Sequence, residues 1–327
     1  MIVFFFTFDF VNSNLKKIFS LLLFIQFQLS GQESGLTQFL TKTDTLNKFR
    51  FYTVSGLQAG IWSGSLIGLN HAWYANYPRS SFHFYNDIGE WQQIDKVGHS
   101  FSAYFGANLS SQLFAWSGVS QKKSALLGAG MGIAYESVIE ILDGYSAEWG
   151  FSMTDMAANL SGSLLFLSQE LFWKEQRIQF KFSSHSIHYK DAELHIKAND
   201  LYGKSLPERI LKDYNGQTYW LSANLWSFAK ESKIPKWLNV AIGYGGDGMF
   251  GGYNNYWTDS KGVYHDRTDI KRIRQFYLAP DIDISKIFIK GKNKKIFKFI
   301  NLIHLKMPLP ALEVNTQGGV KFHPLYF

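Results

Sequence analysis

Ionisable side chains recur inside apolar, helix-forming sequence between positions 95 and 162, and this feature constrains the fold most. They fall in three groups, at residues 95–99, 140–144 and 152–162. A charged side chain in apolar surroundings is costly unless it is paired, and the simplest partner for each group is another member of the set. The sequence therefore predicts packed helices around a polar centre.

The spacing of these residues places several of them on shared helix faces, because residues four apart lie on the same side of a helix. Three pairs have this spacing: Asp95 and His99, Glu136 and Glu140, and Asp155 and Asn159. Three helices can thus direct carboxylates and one imidazole towards a common point. Such a set suits general acid/base catalysis, a hard-metal site with one nitrogen ligand, or a structural polar network.

Candidate roles follow from this chemistry, and the structural alternative stays open. The candidate catalytic residues are His99, Asp95, Glu140 and Asp155. The candidates for ligand binding or a polar core are Lys96, Glu136, Asp143, Ser152 and Asn159. Asp155 also follows Ser152 by three residues. This is a helix-capping pattern, which explains the presence of Asp155 without a functional site. The sequence leaves the metal and the cofactor unknown.

The N-terminus resembles a secretion signal. Lys16 and Lys17 precede an apolar run at 18–27, and small and polar residues follow it. This pattern predicts a signal peptide over residues 1–32, removed near Gly31 or Gln32, and then a polar connector over 33–50. The alternative is a retained signal anchor, although the apolar run is short for a span.

Two kinds of hydrophobic periodicity divide the rest of the chain. Helical patterns cover about 53–74, 93–116, 122–142 and 152–173, whereas alternation appears at 179–183, 275–284 and 303–309. The segments 218–228 and 237–244 are rich in β-forming and aromatic residues. The predicted fold class is α+β, with a bundle of about four helices at 51–175 and an antiparallel β-sheet at 176–327. Small residues such as Gly128 and Gly132 predict tight helix packing.

Composition favours an envelope setting. Aromatic residues make up 17% of the chain, and residues 176–327 hold 23 Lys and Arg against 13 Asp and Glu. A basic surface suits anionic lipid headgroups, and no nucleic-acid-binding motif accompanies it. The predicted membrane-surface patch consists of Lys286, Lys290, Lys292, Lys294, Lys295 and Lys298, with a solvated hairpin tip as the alternative. The chain has no cysteine, which excludes disulfides and thiolate chemistry.

The three polar groups, read with the intervening residues, resemble a known family. The pattern is Asp95-Lys96-x-x-His99, Glu140-x-x-Asp143-Gly144 and Ser152-x-x-Asp155-x-x-x-Asn159-x-x-Gly162. It resembles the uncharacterised YfiM-like family of predicted periplasmic lipoproteins and, more distantly, VanZ-like membrane proteins, over residues 50–175. The resemblance implies a cell-envelope protein with a helical core, and no established reaction. The chain departs from the lipoprotein pattern because it has no cysteine to lipidate.

Two functions remain in competition at this point. The first is a membrane-associated envelope protein that binds an amphiphile or supports a membrane assembly, located in the periplasm, at the outer membrane or at the inner membrane. The alternative is a hydrolase or transferase acting on an envelope lipid through the His/carboxylate cluster. The expected partner is a membrane lipid or envelope amphiphile, and protein partners are unknown. An enzyme needs the polar set to line an open cleft, whereas a structural network should be sealed.

Overall fold

A computed structural model describes residues 41–74, 77–287 and 303–327 of the chain. These residues form seven α-helices and eight strands. The helices are α1 (Lys48–Leu69), α2 (Ile94–Trp116), α3 (Gln121–Gly144), α4 (Met153–Phe172), α5 (Ala192–Tyr202), α6 (Leu206–Lys212) and α7 (Leu225–Phe228). A helical N-terminal part followed by an antiparallel sheet confirms the predicted α+β class. The predicted signal peptide lies outside the described residues.

Helix α2 is the centre of the helical bundle and packs against both α3 and α4. Its contact with α3 depends on glycine, because a Cβ on Gly132 would lie 2.5 Å from the carbonyl oxygen of Ala103. On α4, a Cβ on Gly162 would lie 1.9 Å from the carbonyl oxygen of Ser100. The small residues therefore permit backbone contact, which the sequence pattern predicts.

The strands form one large sheet and one short hairpin. They are β1 (Ile178–Ser184), β2 (Gln217–Asn224), β3 (Leu238–Asp247), β4 (Tyr256–Thr258), β5 (Tyr264–Asp266), β6 (Ile273–Ile282), β7 (Leu309–Asn315) and β8 (Val320–Tyr326). The six-stranded sheet has the order β1-β2-β3-β6-β7-β8 and is antiparallel throughout, while β4 pairs with β5. A register shift at Leu309/Ala311 accommodates Pro310, in line with the expectation that proline occupies bulges.

The large sheet is strongly curled. Lys181 Nζ on β1 lies 2.7 Å from Asp281 Oδ2 on β6, although two strands separate them in the sheet. The hydroxyl groups of Thr218 on β2 and Tyr326 on β8 are 2.9 Å apart. The concave face that these contacts cross buries polar side chains together with an aromatic and alanine cluster, which consists of Trp220, Ala241, Tyr277, Ala279, Ala311 and Tyr326.

The convex, apolar face of the sheet is covered only in part. Phe180 and Phe182 of β1 and Tyr219 of β2 share a core with Tyr104 and Phe166 of the helices. Further along the sheet the same face is exposed at the residues Val240, Ile242, Phe276, Leu278, Leu312, Val314 and Phe322. One apolar core therefore joins the helices to one edge of the sheet and leaves the rest of that face uncovered.

Several elements differ from the prediction after residue 175. Helices α5 and α6 lie in a segment where no helix is expected. The strand expected at 303–309 is wrong, because this segment forms a single parallel bridge between Leu305 and Phe182 before β7 begins at Leu309. The residues at 303–309 do alternate, but only Leu305 forms a bridge, with Phe182 on β1, so the segment is not a strand.

Candidate functional site

A left-handed turn sets the start of α2 and with it the position of the polar cluster. Trp91, Gln92 and Gln93 have φ values of 48°, 54° and 62°. Non-glycine residues adopt this conformation only when their surroundings hold them there. Here the amide of Trp91 donates to the carbonyl oxygen of Gly252 over 2.8 Å, and Arg274 donates to Gln93 Oε1 over 2.6 Å.

Lys96 is the main cation of the cluster. Its Nζ lies 2.5 Å from Asp87 Oδ2, 2.9 Å from Asp155 Oδ1 and 3.2 Å from Asp95 Oδ2. Lys96 is on the first turn of α2 and Asp155 on the first turn of α4, so this ammonium group joins the N-terminal ends of two helices. Three carboxylates around one ammonium leave a surplus of negative charge.

His99 lies one turn further along α2 and contacts both α3 and α4. Its Nδ1 is 3.2 Å from Asn159 Oδ1 and 3.5 Å from Glu136 Oε2. Its Nε2 is 3.6 Å from Glu140 Oε1 and 4.0 Å from Asp155 Oδ2. Asp95 Oδ1 is also 4.0 Å from Nε2, so the imidazole lies among four carboxylates, and the predicted site residues of three helices meet around it.

The beginning of α4 is fixed by Ser152 and by a residue that the sequence reading missed. Ser152 Oγ accepts from the amide of Asp155 over 3.1 Å, so Ser152 is the helix cap and leaves the Asp155 carboxylate to Lys96. The Ser152 hydroxyl donates to Asp87 Oδ1 over 2.6 Å, and its amide donates to Glu140 Oε2 over 3.0 Å. Asp87 thus links the cap to Lys96.

Two tyrosines that the sequence reading also missed complete the cluster. Tyr214 donates to Asp95 Oδ1 over 2.8 Å, and Tyr74 donates to Asp143 Oδ1 over 2.6 Å. Tyr214 begins a short helical turn at Tyr214–Gly216, outside the long helical patterns that mark the other site residues. Asp143 therefore has its hydrogen bond with Tyr74, and it is not among the carboxyl groups that contact Lys96 or His99.

Burial and neighbouring charges shift the pKa values of the carboxyl groups in different directions. Burial raises the pKa of Glu140 to about 7 and that of Asp143 to about 6, and burial together with the charge of Asp95 raises the pKa of Asp155. Burial alone would also raise the pKa of Asp87, but hydrogen bonds with Asp155, Lys96 and Ser152 hold it well below its usual range.

The two bases respond in the opposite sense to burial. Burial would lower the pKa of His99, but the hydrogen bond with Glu136 and the charges of Asp95 and Asp155 raise it well above 6.5. Burial would also lower the pKa of Lys96, and the charges of Asp95 and Asp155 raise it above its usual range. The cluster therefore holds an imidazolium and an ammonium among six carboxyl groups.

A cavity of about 400 Å³ opens beside the cluster. The carboxyl and imidazole groups in its lining are those of Asp87, Glu90, Asp95, His99, Glu136, Asp143 and Asp155. Its apolar lining includes Ile61, Trp62, Leu69, Trp73, Phe101, Phe105, Leu109, Ile139 and Ile303. Along α2 the lining runs from Asp95 to Leu109, a rise of about 21 Å. The polar set is therefore not sealed, and the space beside it changes from acidic to apolar along one helix.

Several polar atoms behind the cavity wall lack hydrogen-bond partners among the described residues. They include Glu140 Oε1 and Asn159 Nδ2, whose side chains are at most 1% exposed. Asp95, His99 and Asp155 also have ligand atoms within 4.8 Å of one another, close enough to hold a metal ion. Lys96 already contacts both carboxylates of that trio, so it supplies the positive charge that a metal would bring.

Of the predicted basic patch, only Lys286 belongs to the described residues. Its Nζ donates to Asn224 Oδ1 over 2.8 Å. Lys290, Lys292, Lys294, Lys295 and Lys298 lie outside the described residues. Within the described ranges, α3 is the one helix that is long and apolar enough to cross a membrane. The core helix of a soluble protein meets the same criterion, so this helix alone does not establish a membrane span.

Comparison with known proteins gives one match. The model of a family described as "Predicted periplasmic lipoprotein (DUF2279)" matches residues 84–168, from the loop before α2 to most of α4. No curated protein and no solved structure matches the chain. The matched segment contains nearly all of the polar cluster, and the family's description supports an exported protein of the cell envelope.

Proposed function

We propose that this protein binds an envelope amphiphile in the cavity beside α2. The observation that carries the proposal is the gradient of the lining, which is acidic around Asp95 and apolar around Leu109. A volume of about 400 Å³ falls in the range of small-molecule sites. An amphiphile matches such a gradient because one of its ends needs hydrogen bonds and the other needs only exclusion of water.

The charge at the polar end favours a headgroup that donates hydrogen bonds. The carboxyl groups there outnumber Lys96 and His99, and buried carboxylates accept hydrogen bonds without donating them. An amine or a polyol therefore fits better than a free carboxylate or phosphate, which the cluster would repel.

Binding of three single-chain probes would test this proposal. The purified full chain is titrated with a long-chain alkylamine, an alkyl glucoside and a fatty acid of equal chain length, each below its micelle concentration. We expect the amine and the glucoside to bind at least about tenfold more tightly than the fatty acid, since one unfavourable charge contact is of order 1.4 kcal/mol. Intrinsic tryptophan fluorescence is a suitable readout, because Trp62 and Trp73 line the cavity.

A pair of matched variants separates the cavity from general adsorption. Leu109→Trp fills the apolar end and should weaken binding about tenfold, the value of roughly one buried apolar side chain. Leu126→Trp makes the same change at an exposed position on α3 and should bind as the unaltered protein does. Equal affinity of both variants for all three probes would contradict the proposal.

A second candidate is acid/base chemistry on an envelope lipid, favoured by His99, which lines the cavity, and by Glu140 beside it with a pKa near 7. Incubation with an envelope lipid extract, followed by mass spectrometry, would test it. A new product that forms with the unaltered chain and not with His99→Gln would establish catalysis. If no product forms, ligand binding remains as the proposed function.

A further inference from the structure

The convex face of the sheet exposes an unusual amount of apolar surface. Ile242 is 58% exposed on β3, Leu278 is 52% exposed on β6, and Phe322 is 63% exposed on β8. These residues belong to neighbouring strands, since Ile242 is paired with Leu278, Leu278 with Leu312, and Leu312 with Phe322. Soluble monomers rarely expose apolar patches this continuous, and such patches mark interaction surfaces.

The opposite face of the sheet is buried and combines polar side chains with an aromatic cluster that includes Trp220, Tyr277 and Tyr326. Lys181 and Lys306 are 2% and 1% exposed, and both contact the buried Asp281. Ser222 and Asn239 are also fully buried on this side. A sheet in water normally places its large aliphatic side chains inside. Here Ile242, Leu278 and Leu312 face outwards while charged side chains are buried, as expected for strands whose outer surroundings are apolar.

Basic and aromatic residues surround one end of these strands. Arg177 stacks over the ring of Trp173 at 4.9 Å, and Lys236 lies 4.8 Å from the ring of Trp226. Phe172 is 83% exposed beside them. This basic-aromatic rim contains Lys174, Arg177, Lys230, Lys233, Lys236 and Lys286 against Glu175, Glu231 and Asp283. Aromatic rings and long cationic side chains are typical of the boundary between acyl chains and lipid headgroups.

We propose that the exposed sheet face contacts the acyl chains of a membrane, with the basic-aromatic rim among anionic lipid headgroups. The positive charge of the rim complements such headgroups. Large apolar side chains are exposed on the helices as well, namely Leu126, Leu127, Ile141, Leu160 and Leu164. Lipid covers all these surfaces at once, whereas a second copy of the chain would cover one patch.

The absence of cysteine from the sequence makes a direct test possible. Single cysteines are introduced as Ile242→Cys and Leu278→Cys on the sheet face, and as Ile196→Cys on α5, where the native side chain is 62% exposed. Each is labelled with an environment-sensitive dye, and the full chain is reconstituted into vesicles of phosphatidylethanolamine and phosphatidylglycerol. Nitroxide groups on the acyl chains should quench the dye at 242 and 278 strongly and at 196 weakly.

Charge variants then separate the apolar and electrostatic contributions. Ile242→Asp combined with Leu278→Asp should lower partition into vesicles roughly a hundredfold, whereas Ile196→Asp should not change it. Charge reversal at Lys230, Lys233 and Lys236 should weaken binding to anionic vesicles at low salt and have no effect at high salt. Circular dichroism and the melting temperature in detergent confirm that each variant is folded.

Two results would overturn the proposal. Equal quenching at 196 and 242 would mean that the sheet face has no special contact with lipid. A dye at 242 that is shielded from both lipid and aqueous quenchers would mean that protein covers this face. Cross-linking between copies would then identify a dimer interface. Neither result would bear on amphiphile binding, because residues 196, 242 and 278 do not line the cavity, which Leu109→Trp probes separately.

Discussion

Lys96 and His99 lie among six carboxyl groups, and their charges decide which of those groups stay ionised. Lys96 contacts Asp87, Asp95 and Asp155 within 3.2 Å, while His99 lies within 3.6 Å of Glu136 and Glu140. Glu140 is the most enclosed of these carboxyl groups at 1% exposure, and its pKa of about 7 reflects that burial. Protonation of Glu140 near neutral pH is therefore linked to folding.

Glu140→Gln should flatten the dependence of stability on pH. Between pH 4.5 and about 7 the folded state keeps a proton on Glu140 that the unfolded state has released. The stability due to this group therefore falls as the pH rises through that range, by up to about 3 kcal/mol. His99 acts in the same direction above pH 6.5, because its pKa is also raised on folding. Urea denaturation from pH 4.5 to 8 measures the slope.

The control for this prediction is Glu148→Gln, which alters an exposed carboxylate in the loop before α4. It should keep the slope of the unaltered protein. If Glu140→Gln kept that slope as well, the carboxyl group of Glu140 would not be protonated on folding, and its burial would have to be relieved by another partner.

The site residues that the sequence predicts and those that it misses lie in different kinds of secondary structure. Asp95, His99, Glu140 and Asp155 sit on long helices, where a spacing of four residues specifies a shared face before any tertiary contact is known. Asp87, Tyr74 and Tyr214 belong to a loop and to short helical turns. Their positions depend on how distant segments pack, so periodicity carries no information about them.

At the scale of elements, α3 carries two glycines with very different surroundings, and only one of them lies in the contact with α2. A Cβ on Gly132 would lie 2.5 Å from the carbonyl oxygen of Ala103, whereas a Cβ on Gly130 would meet no atom within 4 Å. Both residues lie in the middle of α3. The pair therefore separates helix packing from helix propensity within one element.

Gly132→Ala should destabilise the protein, and Gly130→Ala should stabilise it. The added methyl group at 132 must push two helix backbones apart, an overpacking change that typically costs about 1–3 kcal/mol. At 130 the change only removes backbone freedom from the unfolded chain and should add up to about 1 kcal/mol. Thermal denaturation of both variants measures the difference. Two variants of equal stability would show that the helices separate easily at this point.

Elements were predictable to the extent that they are long. The bounds of α2, α3 and α4 follow from the helical period to within two residues. The shorter helices α5 and α6 were not predicted, because few apolar residues mark their buried faces. Alternation predicts the strands, but it cannot say which face is buried. Here β3 and β6 bury the face of Asn239, Ala241, Tyr277 and Asp281 and expose that of Ile242 and Leu278. That choice is made by the curl of the sheet and by the surroundings of the whole protein.

At the scale of the molecule, the boundary near residue 175 divides two kinds of secondary structure and not two cores. Tyr104 and Phe166 of the helices pack in the same cluster as Phe180, Phe182 and Tyr219 of the sheet. Tyr104 also donates to Gln176 Oε1 over 3.1 Å, just before β1. A domain that folds alone has its own core and few contacts across its boundary, and neither condition holds here.

We therefore expect the fragments 33–175 and 176–327 to be unfolded when each is made alone. The second fragment would expose Phe180, Phe182 and Tyr219 to water, and at about 1.5–3 kcal/mol per buried side chain this loss is comparable to the whole stability of a domain. Amide dispersion in NMR spectra, in detergent matched to the full chain, measures folding of each fragment. A cooperative melting transition in the 176–327 fragment would contradict the shared core and show that the curled sheet, held by Lys181, Asp281 and Lys306, is sufficient for its own fold.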